Sequence, residues 1–521
     1  MVGTIPADPS LTDARVTTYT YDEVGNRLTE TRHDIEVYDY TDIDGQAGED
    51  NPGTTVFLNG TVAYTYNGLG QVLTKTEATG DAISYAYDDG GRLESETRTA
   101  FLGYTGVSVT PEVDYYYDGL GNLSRTRSVG AAGVAERVST YQYNAGGLLS
   151  KMTDAAGNSH EYFYDASGRQ LVDRYIRTES DGSTDHTEAA LTSYDLLGRV
   201  SEQSVAREVA GAWQVGTDGT ITKIAYNAFG DVIATGVNVG TTDPANWQQQ
   251  NRYDLAGRMW ATNAGDGFWK FFGYDENGNQ TIAITSAGEQ FTSATDFQTA
   301  FAGVVGDNDK NGIADLDVNA TYTIYDARNL AIEVHEEQRE LSATTTQDLT
   351  TTRSYNAFGE VIEETDARGA VLSYTFNTMG RMIRSESPTV SITNEDGSTQ
   401  WVKPSEDFYY DVSGRLVAQR DANGAYATGG VEANNGGTSK VANTGNLNRL
   451  ELLAGTGYGG SEALITKQIA ADGGITRTSF DVHGDARKVE LLVTGNETSG
   501  TWRNTNLLES KCLQAALPAL F

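Results

Sequence analysis

The acidic segment at residues 307–317 has the residue types and spacing of a calcium-binding loop. Oxygen-bearing side chains alternate along it, and Gly312 occupies the sixth position, as in the first half of an EF-hand or dockerin-type loop. Val318 stands at the twelfth position, where such loops carry a bidentate acid, and the neighbouring Asp317 is the substitute. The alternative is an acidic, solvated turn, and a bound calcium would serve to order the loop. The predicted calcium ligands are Asp307, Asp309, Asn311, Ile313, Asp315 and Asp317.

Catalytic patterns are weaker than this metal pattern. The segment His335-Glu336-Glu337-Gln338-Arg339 begins like the helix of a zinc protease, but arginine stands where the second histidine is needed. The chain has five histidines and one cysteine, and they form no recognisable nucleophile–base pair. A carboxylate pair of the glycosidase type stays open, because acidic residues are numerous and none is singled out. We therefore predict a non-enzymatic protein without catalytic residues, whose only cofactor is structural calcium.

The elements that must position these residues are predicted from a repeated five-residue motif. It consists of an aromatic residue, Asp or Asn, two variable residues and Gly. One further copy, at Tyr325, has Asn329 in place of glycine, and Asn also tolerates a left-handed backbone. Such recurrence indicates an array of supersecondary units. Complete copies start at Tyr21, Tyr66, Tyr87, Tyr117, Tyr143, Tyr164, Tyr194, Tyr226, Tyr253, Tyr274, Tyr355, Phe376, Tyr410 and Phe480.

Each copy of the motif predicts a β-hairpin. The Asp or Asn side chain can accept hydrogen bonds from backbone N–H groups two residues on, and the glycine can adopt positive φ. Together they describe a type I turn closed by a glycine bulge. Residues alternate in polarity before the turn, as in Tyr19-Thr20-Tyr21, and again after it, which is strand periodicity. One hairpin is marginal alone, so the hairpins must stack into a continuous sheet, and the fold class is all-β.

Arginine directly follows the motif glycine in several copies. We expect these side chains to pair with the turn aspartates or to stack on tyrosines of adjacent repeats, and we favour this structural role over ligand contact. The arginines are Arg92, Arg169, Arg199, Arg258, Arg381 and Arg415.

Composition limits the partners. The 521-residue chain carries a formal net charge of −35, so binding to nucleic acid through bulk electrostatics is not expected. No apolar run approaches the roughly 18 residues of a membrane-spanning helix, and no signal peptide is recognisable at the first residue. An acidic, tyrosine-rich β chain with the single cysteine Cys512 is typical of a secreted or surface protein of a bacterium, although a cytosolic one fits as well.

The pattern YDxxGRL, with starts most often 21 or 30 residues apart, resembles the RHS/YD-repeat proteins. These include bacterial Rhs polymorphic toxins, the C components of insecticidal Tc toxins and the YD shell of teneurins. The resemblance covers roughly residues 19 to 490 and implies a long β-sheet that spirals into a hollow shell, or part of one. In Rhs and Tc proteins the shell encloses a C-terminal toxin, and in teneurins it belongs to an adhesion ectodomain. The family's Asp-Pro self-cleavage motif is not seen at the end of the array, since the two pairs are Asp8-Pro9 and Asp243-Pro244.

Two functions follow from the resemblance. The first is a structural shell, a fragment of a larger secreted or surface protein, that encapsulates a C-terminal toxin or cargo domain lying outside this chain. The second is a cell-surface adhesion module that binds a glycan or protein ligand through exposed aromatic clusters near Trp260 and Trp269. In the second case the repeats self-associate through edge strands.

Six segments are predicted along the chain. Phe297, Phe301 and Val304 recur at helical spacing before the acidic loop and predict a short helix. The segments are an N-terminal lead-in (1–18), a YD-repeat array (19–278), an insertion with a short helix and an Asp-rich loop (279–324), the continued array (325–423), a Gly/Asn-rich insertion or decayed repeats (424–479), and the last repeat with an atypical tail (480–521).

Overall fold

A computed structural model gives the architecture of most of the chain. Two units divide it by their internal contacts: the first contains Met1–Val138, Tyr355–Glu363 and Ala370–Phe521, and the second contains Ser139–Ser354 and Glu364–Gly369. This division leaves the six predicted segment boundaries as predictions. The described residues are 15–39, 54–131, 133–178, 185–216, 219–286, 318–342, 345–393, 397–422, 447–452, 464–470, 474–495 and 499–505.

Antiparallel strands make up almost all regular structure among these residues. The first ten strands are Thr17–Tyr21 (β1), Arg27–Asp39 (β2), Thr54–Tyr66 (β3), Val72–Thr76 (β4), Ala82–Tyr87 (β5), Leu93–Arg98 (β6), Phe101–Leu102 (β7), Ser108–Val109 (β8), Glu112–Tyr117 (β9) and Leu123–Ser128 (β10). Hydrogen-bonded pairing runs from β1 to β6 and on through β9 and β10.

The second unit continues the same pattern. Its strands are Arg137–Tyr143 (β11), Leu149–Thr153 (β12), Ser159–Tyr164 (β13), Gln170–Thr178 (β14), Asp185–Tyr194 (β15), Val200–Val209 (β16), Ala212–Gln214 (β17), Ile221–Tyr226 (β18), Val232–Val237 (β19), Gln249–Tyr253 (β20), Met259–Thr262 (β21), Lys270–Tyr274 (β22), Gln280–Ser286 (β23), Val318–Tyr325 (β24), Ala331–Ser342 (β25) and Thr345–Tyr355 (β26). Pairing runs in chain order from β11 to β26, with β17 bound only to β16.

The remaining strands lie in the first unit, except that Glu364 and Thr365 belong to the second. These strands are Val361–Thr365 (β27), Val371–Phe376 (β28), Met382–Glu386 (β29), Val390–Thr393 (β30), Thr399–Val402 (β31), Ser405–Tyr410 (β32), Leu416–Arg420 (β33), Leu447–Leu452 (β34), Ile465–Ile469 (β35), Ile475–Phe480 (β36), Ala486–Thr494 (β37) and Thr501–Thr505 (β38). Pairing runs from β28 through β29 to β32 and then in order to β38, while β30 and β31 form a separate small hairpin.

Register within the hairpins follows the motif. Each motif hairpin keeps regular pairing until its aromatic residue, where the register shifts by one, as between Phe163 and Tyr164. The shift is the predicted glycine bulge. The all-β prediction is therefore confirmed. The one helical turn among the described residues is a 3-10 turn at Pro244–Asn246, capped by the carboxylate of Asp243.

Most strand side chains are half-buried, as all six residues are in β9 and in β28. A denser core occurs in the second unit around Ala261, Trp269, Phe271 and Ile284. In the first unit, Val417 and Ala418 pack with Tyr409 and Leu452. No helix among the described residues is long and apolar enough to cross a membrane.

Candidate functional site

The predicted calcium loop cannot be placed, because residues 287–317 lie outside the described ranges. That gap contains all six predicted ligands and the predicted helix, so both stay predictions. In the parts of the chain that are described, no group of three or more His, Cys, Asp or Glu side chains is placed to hold a metal ion.

The segment at His335 does not form the helix of a zinc protease. Residues 331–342 form strand β25, and a metal-binding motif of that type needs a helix to bring its ligands to one face. His335 instead lies 2.8 Å from Glu333 through Nε2, and its Nδ1 lies 3.1 Å from the hydroxyl of Thr350 on the neighbouring strand. The first contact lies within β25 and the second joins it to β26, as in an ordinary sheet.

The turn at Asp88 shows the motif chemistry in full. One carboxylate oxygen, Oδ1, accepts hydrogen bonds from the backbone N–H groups of Gly90 and Arg92, both at 2.9 Å. The N–H of Gly91 donates to the carbonyl of Asp88 at 2.8 Å, and Gly91 has φ +77°. Where the motif glycine is replaced, Asn329 adopts φ +63°. Both turn predictions, the Asp or Asn hydrogen bonds and the left-handed fifth residue, are thus confirmed.

These hydrogen bonds change the acidity of the turn carboxylates. The backbone N–H of the residue four positions on is the largest cause of a lowered pKa for Asp88, Asp165, Asp195, Asp254 and Asp326. Where asparagine occupies that position, its side-chain amide is the largest cause, and the affected carboxyls are Asp22, Asp118, Asp154 and Asp275. The turns therefore hold their aspartates ionised.

The tyrosine of most motifs reaches the preceding repeat. The hydroxyl of Tyr164 donates a hydrogen bond of 2.7 Å to the carbonyl of Leu149, the first residue of the return strand in the repeat before. Burial raises the pKa of the Tyr164 hydroxyl, which keeps it a donor. The same bond joins Tyr66 to Arg27, Tyr87 to Val72, Tyr117 to Leu93, Tyr194 to Gln170, Tyr226 to Val200, Tyr253 to Val232, Tyr274 to Met259, Tyr325 to Gln280 and Tyr410 to Met382.

The motif arginines link neighbouring turns as well. The guanidinium of Arg169 donates from Nε to Oδ2 of Asp165 at 2.6 Å and lies over the ring of Tyr194, 4.8 Å from its centroid. Both predicted roles are therefore filled by one side chain. The same pairing and stacking occur for Arg92, Arg199 and Arg258, whereas Arg415 pairs with Asp411. Arg381 follows an asparagine turn, so it has no turn carboxylate to pair with.

Sequence reasoning missed the short turns at the opposite ends of some hairpins. Oδ1 of Asp154, between β12 and β13, accepts from the N–H groups of Ala156 and Asn158 at 2.9 and 2.8 Å, which is the same turn without the tyrosine. Asp366 begins another such turn, with Gly369 donating to its carbonyl. The pattern Asp-x-x-Gly without a preceding aromatic residue was the available signal.

Four late turns of the first unit dock on its early strands. The turns occupy residues 356–360, 377–381, 411–415 and 481–485. In the first of them, Arg15 donates to Glu360 at 2.7 Å and its guanidinium lies 3.9 Å above the ring of Phe358. In the second, the hydroxyl of Thr378 donates to the carbonyl of Asp34 at 2.8 Å.

The other two docked turns cover their variable residues, half-buried at 412–413 and buried at 482–483. Val412 lies against Gly60, where an added Cβ would stand 3.0 Å from the carbonyl oxygen of Val412. Val482 is only 2% exposed. The neighbouring His483 is also buried, and its two ring nitrogens lie 2.8 Å from the hydroxyl of Ser128 and from the carbonyl oxygen of Ala135. Contacts between the first and last repeats of this unit thus run through turn residues that the sequence marks only as variable.

The tryptophans expected in an exposed aromatic cluster belong to the core. Trp269 is 5% exposed, and Trp260 packs partly buried against the same cluster. The prediction of an exposed cluster at these two residues is wrong, because both pack in the cluster that contains Phe271 and Ile284.

A groove of about 800 Å³ lies over strands β11 to β14 in the second unit. Its lining includes the ion pair of Lys151 with Glu161 at 3.1 Å, the amide of Gln142 and the ring of Phe163, which is half exposed. An aromatic face among polar groups can stack on and hydrogen-bond to a small polar ligand.

Comparisons with known proteins agree with the motif analysis. Residues 54–181 match the teneurin YD-shell family, and residues 355–399 match the RHS repeat family. The predicted resemblance to YD- and RHS-repeat proteins is therefore confirmed. No curated protein matches the chain.

The solved structures that the chain matches include Tc toxin proteins. One is a Tc holotoxin pore of Photorhabdus luminescens, with 12% identity and a TM-score of 0.46, covering 97% of this chain and 26% of that chain. Another is a TcdB2-TccC3-Cdc42 complex, with 12% identity and a TM-score of 0.42, covering 96% of this chain and 27% of that one. The chain spans about a quarter of the length of these proteins.

Proposed function

We propose that the chain is a structural wall of YD repeats that forms part of a shell around a C-terminal toxin or other cargo. The cargo would belong to a larger secreted or surface protein. The observation that supports this most is the linkage of successive hairpins. In most motifs the tyrosine bonds to the preceding repeat, in several the arginine stacks on the tyrosine of the next repeat, and the aspartate holds its own turn, so these reactive side chains serve the wall itself. A rigid, self-supporting wall is what enclosure of a cargo requires.

Protease protection of a fused cargo tests the enclosure. A small reporter domain would be attached after residue 521, and the fusion would be compared with the reporter alone and with the same reporter attached through an added, protease-stable polar spacer. We expect the direct fusion to resist a protease that degrades both controls. Equal degradation of the reporter in all three proteins, with the repeats intact on a gel, would contradict the enclosure.

Ligand binding is the second candidate function, and the groove over β11 to β14 favours it. The half-exposed ring of Phe163 beside Gln142 and the Lys151–Glu161 pair suits a neutral glycan, since sugar rings stack on aromatic faces while their hydroxyls bond to amide and charged groups. A glycan array probed with the chain and with Phe163→Ala tests it. Glycan signals that the substitution removes would support binding, and an array without signals would exclude this role.

We also propose that residues 307–317 bind a structural calcium ion, on the support of their ligand spacing alone. A ligand that binds the folded state raises its stability with concentration. Added calcium should raise the melting temperature of the chain, and Asp309→Ala together with Asp315→Ala should abolish the rise. A melting temperature that is equal in calcium and in chelator would contradict the site.

A further inference from the structure

The two variable residues of each motif form the tip of its turn, and apolar tips occur in two environments within the first unit. In the late repeats the tips are covered, as at Val482 and Val412. In the early repeats they are exposed: Val24 by 85%, Leu69 by 80% and Leu120 by 84%. These three exposed residues occupy the second variable position of the motif, where the late repeat at Tyr355 has Phe358, half-buried beneath the guanidinium of Arg15. Apolar tips left this exposed, where tips of late repeats are covered, point to a docking surface that lacks its partner.

The covered tips show what such a tip binds. Their partners lie at the ends of early hairpins opposite the turns, which we call the far ends. Arg15 precedes β1, Gly60 lies in β3 beyond the part that pairs with β4, and Ser128 ends β10. Each tip therefore contacts the far end of another hairpin in a head-to-tail manner.

The exposed early tips lie along one continuous edge. The side chain of Gln71 donates to the carbonyl of Gly91 in the next turn at 2.6 Å. The amide of Asn26 lies against Gly70, and the guanidinium of Arg92 lies against Gly121. Neighbouring turns therefore hold Val24, Leu69 and Leu120 on a shared surface.

The late repeats of the same unit carry an apolar far end. Strand β29 ends at Glu386 and β32 begins at Ser405, and the small hairpin of β30 and β31 projects from this connection. Trp401 on that hairpin is 60% exposed. The first unit thus has exposed tips on its early repeats and an exposed far end on its late repeats. Within the unit, tips and far ends already bind each other.

We infer that a second copy of this chain docks head to tail, with the tips Val24, Leu69 and Leu120 of one copy packed on the far end around Trp401 of the next. Such a contact is heterologous, so it does not close on itself in a dimer and leads to longer assemblies. The net charge of −35 opposes the contact at low ionic strength, and salt should promote it.

Sedimentation velocity over a wide concentration range, at low and high NaCl, tests the docking. We expect species larger than a dimer at high concentration, favoured by salt. Leu69→Asp with Leu120→Asp should leave only monomer, and Trp401→Asp should do the same. Because these side chains are exposed, circular dichroism and melting temperature should stay unchanged. Leu255→Asp alters an exposed tip of the second unit and serves as the matched control that leaves association unchanged.

Mixing the tip variant with the Trp401 variant tests whether the contact is head to tail. The tip variant keeps an intact far end and the Trp401 variant keeps intact tips, so a mixture should form dimers and nothing larger. A wild-type chain that stays monomeric at all concentrations would overturn the inference. Association that survives both sets of substitutions, or that Leu255→Asp abolishes, would overturn it too.

Discussion

Tyr164 illustrates why the motif begins with tyrosine more often than with phenylalanine. Its ring is half-buried between repeats, while its hydroxyl bonds to a backbone carbonyl of the repeat before. Phenylalanine can supply only the first of these contacts, as at Phe376 and Phe480. The hydroxyl therefore stabilises the contact between neighbouring hairpins rather than the hairpin itself.

Replacing Tyr164 by phenylalanine should destabilise the protein by about 1 kcal/mol, the usual net contribution of one hydrogen bond, because the carbonyl of Leu149 then loses its partner. Denaturant unfolding followed by circular dichroism measures the change. Tyr21→Phe is the matched control, since the hydroxyl of Tyr21 makes no hydrogen bond with the described part of the chain and the loss should be near zero. Equal losses in both variants would show that the interrepeat bond contributes nothing.

The turn carboxylates predict an acid transition. The pKa of Asp165 is lowered from 3.8 in the folded protein, chiefly by the backbone N–H of Arg169 and then by its side chain. A lowered pKa gives stability that is complete above the unfolded value and is lost as the pH falls through the folded value. Nine turn aspartates shift in this direction, so unfolding should become steep below about pH 4.

Asp165→Asn separates charge from turn geometry, because asparagine serves the same turn at Asn67 and Asn144. The variant should be less stable than wild type at neutral pH and approach it in stability as the pH falls below 4. Urea midpoints measured as a function of pH provide the comparison. A constant difference at every pH would contradict the assigned role of the carboxylate.

At the scale of the hairpin, the turn at residues 67–71 contains two glycines with different tasks. Gly70 has φ +79°, whereas Gly68 lies outside the left-handed region and would place an added Cβ in open space. Gly70→Ala should cost about 1 to 2 kcal/mol because a side chain strains a left-handed backbone. Gly68→Ala should be neutral or stabilising by about 0.4 to 1 kcal/mol, through a smaller unfolded-state entropy. Thermal unfolding of both variants tests the turn, and a similar loss in each would refute it.

Local order was predictable from the sequence because the turn chemistry is contained within five residues. Residue types at short sequence spacings were enough to predict the hairpins, the bulge, the left-handed Asn329 and the pairing of Arg169 with Asp165. Strands β34 and β35 were not predicted, because they lie in a Gly/Asn-rich stretch without the motif. They form through pairing with β33 and β36. The burial of Trp269 was missed for the same reason: its neighbours come from other strands.

At the scale of the whole molecule, the contacts that join early and late repeats of the first unit carry no local signal. Arg15 and Glu360 are 345 residues apart, and only the accumulated geometry of the intervening hairpins brings them within 2.7 Å. The sequence around Gly60 likewise gives no sign of a contact, although Ile35 and Val412 leave no room there for a side chain. The tip residues differ among the four docked turns because each of these turns packs against a different far end.

Gly60→Ala tests this long-range docking. An added Cβ would stand 2.7 Å from Cδ1 of Ile35 and 3.0 Å from the carbonyl oxygen of Val412, so the turn at 411–415 must move away. Overpacking of this kind typically costs about 1 to 3 kcal/mol. Hydrogen exchange should rise in β32 and β33 as well as near residue 60, and Gly68→Ala should leave it unchanged. A rise confined to β2 and β3 would contradict the docking.

Small-angle X-ray scattering on the monomer peak of the purified 521-residue chain, separated by size exclusion, tests the shell most directly. The proposed wall predicts a distance distribution skewed toward long distances, with a deficit of mass at the centre. A compact, filled profile would contradict the proposal that this chain encloses a cargo.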